Sequence, residues 1–60
     1  MDDLTQYRAI LASELANRRA EALNPRRAPW ERTLLASMAE DSAEKLAAVE
    51  REMEMERRAA

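Results

Sequence analysis

The sequence predicts an all-α protein, an antiparallel hairpin of two helices that pairs with a second copy into a four-helix bundle. Three observations lead there. Both prolines fall within Asn24-Pro25-Arg26-Arg27-Ala28-Pro29, and no glycine occurs in the 60 residues. The flanks are dominated by Ala, Leu, Glu, Arg and Met, which form helices readily. Large apolar residues recur on both flanks at helical spacing.

The first helix is expected over about residues 3–23. Asp3 followed by Gln6 fits a variant of the capping box. Asp2 and Asp3 favour the positive end of the helix dipole, and Arg18 and Arg19 lie towards its negative end. Asn24 before Pro25 is a stop signal, because a residue preceding proline is pushed out of the α region. The turn spans 24–28, and Asn24 could instead cap a single turn opened by Pro25. The second helix is expected over about 29–58. Pro29 suits a first helical position, Glu31 places a carboxylate in the first turn, and Ala28 is a poor cap. Asp41, Ser42 and Glu44 could open a third helix, but the apolar pattern runs through them. Residues 1–60 form one domain.

The large apolar stripe of the first helix comprises Leu4, Tyr7, Leu11 and Leu15. That of the second comprises Leu35, Met38, Leu46, Val49 and Met53, with Ser42 in the remaining slot. Leu4 to Leu15, Leu35 to Leu46 and Met38 to Val49 each span 11 residues. That period keeps a stripe straight or slightly right-handed, unlike the heptad of a left-handed coiled coil. Each helix also carries a stripe of small residues: Ala9, Ala12, Ala16 and Ala20, and Ala36, Ala39, Ala43 and Ala47. Alanine lets helix axes approach closely, and it also simply favours helix.

At 1.5 Å per residue the helices measure about 31 and 45 Å, so the second overhangs by roughly nine residues. Val49 and Met53 fall in that overhang, beyond what one hairpin is expected to cover. A second hairpin would cover them. A chain this short is also marginal alone, and small scaffolds gain stability from disulfides, metals or association. Cysteine and histidine are both absent. Disulfides and thiolate sites are thereby excluded, and with them go the commonest transition-metal ligand and the usual general base. No enzyme, cofactor or metal centre is expected, and association is the route that remains.

Twelve acidic against ten basic residues give a net charge of −2. Large apolar residues adjoin only in pairs, as at Ile10-Leu11 and Leu34-Leu35, so no membrane span is expected. The acidic Met1-Asp2-Asp3 is unlike a signal peptide, and a cytoplasmic protein is expected. The richness in Ala and Arg suggests a bacterial or phage gene. Glutamate-rich polar faces argue against a membrane surface.

Arg18, Arg19, Arg26, Arg27 and Arg32 gather towards the turn, with Glu21 and Glu31 the acids nearby. Arg26, Arg27, Trp30 and Arg32 are the candidate contacts for a protein partner, since Trp and Arg dominate interface hot spots. Leu4, Tyr7, Leu11, Leu15, Leu35, Met38, Leu46, Val49 and Met53 are the candidate core and dimer residues. Met53 and Met55 stand among glutamates near the end of helix 2, where methionine could adapt to a partner; two residues apart, they cannot share one helix face. The acidic run from Glu40 to Glu56 reads as a solvated face, with Arg8, Lys45 and Arg51 as counter-charges. The expected function is a non-enzymatic interaction module: a homodimer that binds another protein as adaptor, inhibitor or regulator. A nucleic-acid-binding regulator using the Arg-rich end, or a structural subunit of a larger assembly, is the alternative.

Overall fold

The computed structural model describes residues 2–59; Met1 and Ala60, the ends of the expected domain, lie outside the described residues. Two helices make up the structure, α1 (Asp3–Ala22) and α2 (Pro29–Ala59), with no strand among the described residues. They lie antiparallel in a slender hairpin of 48 × 18 × 12 Å.

The cap of α1 is Asp2 rather than the expected Asp3. The Asp2 carboxylate accepts from the Thr5 amide at 2.7 Å, and its carbonyl accepts from the Gln6 amide at 3.2 Å. Asp3 becomes the first helical residue and acts on the helix dipole instead. That hydrogen bond holds the Asp2 carboxyl below its ordinary pKa. At its other end α1 closes on Leu23, whose amide donates to the Ala20 carbonyl at 3.2 Å.

Asn24 caps the turn that Pro25 opens. Its side-chain oxygen accepts from the Arg26 amide at 3.0 Å, and its carbonyl accepts from the Arg27 amide at 3.2 Å. Proline at the second position of such a turn is preset for it, so the chain reverses without glycine and without positive φ among the described residues. Ala28 has no capping side chain, and Glu31 supplies what it lacks. The Glu31 carboxylate accepts from the Ala28 amide at 3.1 Å, the reciprocal half of a capping box. From Pro29 α2 runs unbroken to Ala59, so Asp41–Ser42 opens no third helix. Ser42 faces α1 there, only 1% exposed, and packing holds the helix through it.

Leu11, Leu15, Ala39, Val49 and Ser42 form the buried core. Leu4, Leu35, Leu46 and Met53 are half-buried around it. Tyr7 and Met38, on the same stripes, lie at the edge of the interface and are exposed in the single chain. The expected overhang is much shorter than helix lengths suggested. Val49 is buried within one hairpin and Met53 is half-covered. Arg8 pairs with Glu50 at 3.3 Å. Measured from residue 26, Arg8 is 18 residues before the turn and Glu50 is 24 after it (26 − 8 and 50 − 26), whereas α2 outruns α1 at the open end by four (59 − 50 against 8 − 3), so the larger part of the surplus of α2 lies beside the turn. The first turn of α1 is thereby level with Met53–Arg57, where both helices line one groove.

The alanine stripes divide. Ala39 is buried and Ala12 and Ala43 are half-buried, whereas Ala9, Ala16, Ala20, Ala36 and Ala47 remain on the surface. Close approach of the helices uses the first group only.

Candidate interaction surface

The turn end is tied together by one guanidinium. Arg27 Nε donates to Glu21 Oε2 at 2.7 Å and its Nη1 donates to Glu31 Oε2 at 3.1 Å, joining the end of α1 to the start of α2. Asn24 adds a donor to Glu21 at 3.3 Å. Arg27, and after it Asn24, hold the Glu21 carboxyl below the ordinary glutamate range, and Glu21 and Glu31 together raise the pKa of Arg27. These contacts neutralise much of the charge that the sequence placed at this end.

The remaining arginines scatter. Arg18 leaves the turn cluster altogether and reaches across to α2, donating to Ser42 Oγ and, at 3.3 Å, to the Met38 carbonyl. That destination accounts for a buried serine in an apolar stripe: its hydroxyl has a charged donor. Arg19 is exposed at the rim of a shallow groove lined by Ala22, Leu23, Ala36, Ala39 and Ala43, about 320 Å³ in volume, with Glu40 on the same rim. Arg26 is exposed and makes no ion pair among the described residues. Arg32 is half-buried, and its Nε is buried without a hydrogen-bond partner. Of the four candidate contacts, Arg26 and Trp30 are therefore open, Arg27 is occupied by carboxylates and Arg32 is partly covered.

Trp30 is 69% exposed and Leu34, one turn on, is 53% exposed. The two make an apolar ridge on the outer side of α2 at i, i+4 spacing. Sequence reasoning singled out Trp30 and passed over Leu34, although the four-residue spacing was readable. Its neighbour Leu35 took the core position, and a pair of adjacent leucines can send only one inward.

A second groove, about 550 Å³, opens between the ends of the hairpin, lined by Asp2, Leu4, Arg8, Glu50, Met53 and Arg57 among others. Its walls mix both charge signs. On the acidic face, Arg8 pairs with Glu50, and Arg57 and Arg58 pair with Glu54, whereas Lys45 and Arg51 make no ion pair among the described residues. No three Asp or Glu side chains converge on a point that could hold a metal ion among the described residues. Among the described residues, no helix is long and apolar enough to cross a membrane.

The fold is thus a two-helix hairpin with an apolar ridge, Trp30 and Leu34, at the start of α2 and a turn where Glu21 and Glu31 neutralise Arg27. No protein-family model, curated protein or solved structure matches the chain.

Proposed function

We propose that this chain is a non-enzymatic protein-interaction module, a hairpin that homodimerises into a four-helix bundle and binds a further protein as adaptor, inhibitor or regulator. The observation that carries the reading is the surface left uncovered. The chain exposes 4803 Å² at a mass of 6.9 kDa. A compact monomer of that mass exposes about 4,000 Å². The difference, about 800 Å², is what one partner contributes to an interface of standard size. Seven large apolar side chains are exposed over the described residues, with Trp30, Leu34 and Leu23 the most exposed on the turn half of the molecule. For the further protein, the turn end offers Trp30 as an apolar anchor with Arg26, Arg27 and Arg32 around it, the residue types that dominate binding hot spots.

A nucleic-acid role draws less support. Arg27 is held by two carboxylates and Arg18 is turned into the helix interface. Without those two, the turn end has no continuous basic stripe to follow a phosphate backbone. The test has two parts. Light scattering on the purified chain should give twice the monomer mass. Affinity capture from host lysate, with and without nuclease, should retain one stoichiometric protein that Trp30→Ala and Arg26→Glu release. A monomer at all concentrations would refute the homodimer, and capture that vanishes with nuclease would replace the protein partner with nucleic acid.

A further inference from the structure

We infer that the outer face of α2 is the surface on which the second copy docks, with the two α2 helices antiparallel about a two-fold axis level with residue 43. The inference rests on the homodimer proposed above and specifies its interface. At about 100° per residue, Trp30, Leu34, Asp41, Lys45, Ala48, Glu52 and Met55 point within about 40° of one direction. All seven are exposed, so α1 covers none of this face. Trp30 and Leu34 lie at one end, Ala48 and Met55 flank Glu52 at the other, and Asp41 and Lys45 occupy the middle.

The charges select the partner and its direction. Asp41 and Lys45 are one turn apart, a spacing at which such residues pair readily, yet neither joins an ion pair within the hairpin among the described residues. Residue 43 lies midway between them and one residue from the centre of α2, which runs from Pro29 to Ala59. An antiparallel copy centred there brings Asp41 level with Lys45 of the second copy, twice by symmetry. Trp30 then comes within one residue of the level of Met55 of the second copy, close enough for a favourable sulfur–aromatic pairing. Leu34 comes level with Glu52 of the second copy, whose stem can lie over the leucine. A parallel pair centred on the same face would instead set Asp41 against Asp41 and Lys45 against Lys45. Isologous interfaces need a patch complementary to itself, and this face meets that condition in one direction only.

Because the axis lies near the centre of α2, the helices overlap along nearly their whole length. That extent suits the surplus of about 800 Å² per copy noted above. Docking covers part of Trp30, and the part that stays open lies beside Arg26 at the turn end, where the further protein binds.

Charge exchange tests the register. Asp41→Lys places two lysines on each copy, and Lys45→Asp places two aspartates. Each variant alone should dimerise about a hundredfold more weakly than the parent, since two attractive contacts become repulsive. An equimolar mixture of the two should recover the parent affinity as a heterodimer, seen by sedimentation, with helicity unchanged throughout. Recovery in the mixture also shows that both variants fold. If the parent is monomeric, the homodimer reading falls and this interface with it. If the parent dimerises and both variants dimerise equally well, the copies meet on another face: the homodimer stands and this interface is overturned. Variants that dissociate without recovery on mixing would likewise overturn the antiparallel register.

Discussion

Replacing Leu11 by alanine probes whether the hairpin carries its own core. Leu11 is 4% exposed and is one of three large aliphatic side chains, with Leu15 and Val49, that a single chain buries. Truncating such a leucine costs about 2.5–5 kcal/mol, from lost transfer energy and the cavity left behind. A chain of 60 residues, at the usual 0.05–0.15 kcal/mol per residue, has a total stability of about 3–9 kcal/mol. Leu11→Ala should therefore remove about a quarter of the stability or more, lowering the midpoint by at least about 10 °C. Leu23→Ala is the control. Leu23 is 81% exposed, and its truncation should cost under about 0.5 kcal/mol. Thermal melts by far-UV circular dichroism at several matched concentrations give both numbers. Equal shifts for the two variants, or a loss under about 1 kcal/mol for Leu11→Ala, would refute an intramolecular core. Helix stability would then come from contacts between chains.

The Arg18–Ser42 contact should show in a double-mutant cycle. Ser42→Ala should cost about 1 kcal/mol, Arg18→Met about 1.5–3 kcal/mol, and the pair should be less than additive by about 0.5–1.5 kcal/mol; strict additivity would show that the two do not interact. Acid should loosen the turn through Glu21. Its pKa in the folded chain lies below the ordinary 4.5, so its stabilising share is present above that pH and is lost as pH falls below it. Glu21→Gln should accordingly be less stable than the parent at neutral pH and should lose less on acidification, which melts at pH 7 and pH 3 would check. Substituting Asp2 by alanine should fray the first turn of α1, seen as faster amide exchange at Leu4 and Thr5 with the remainder of the helix unchanged. Ser42→Pro should break α2 at its middle and abolish the cooperative melt, whereas a chain with a natural break at Asp41–Ser42 would tolerate it.

Much of the hairpin was legible in one dimension. Pro25 and Pro29 bracket the turn because proline constrains its own φ and the residue before it, and these constraints act locally whatever the tertiary structure does. The placement of Ser42 on the inner face followed from helical periodicity alone. The choice between Asp2 and Asp3 as cap was harder, since both carry the right side chain. Which one reaches the amide three residues on depends on where the chain enters the helix. The candidate surface was half legible: Trp30 was recognisable as a residue without a core position, but the fate of five arginines was not. A guanidinium on a long stem can reach several acceptors: Arg18 found its own on the other helix, and Arg27, in the turn, found one on each helix.

By itself the sequence determined two helices, the turn between them and which stripe of each faces inward, because propensity, proline and periodicity are properties of neighbouring residues. The vertical register of α1 against α2 was left to the tertiary structure. Periodicity specifies the direction of a side chain around its axis and says nothing of its level along a partner. The structure set that level by packing Leu11 and Leu15 among Ala39, Ser42 and Val49, and by pairing Arg8 with Glu50. That register buries Val49 within one chain, and it leaves the outer face of α2, from Trp30 to Met55, uncovered.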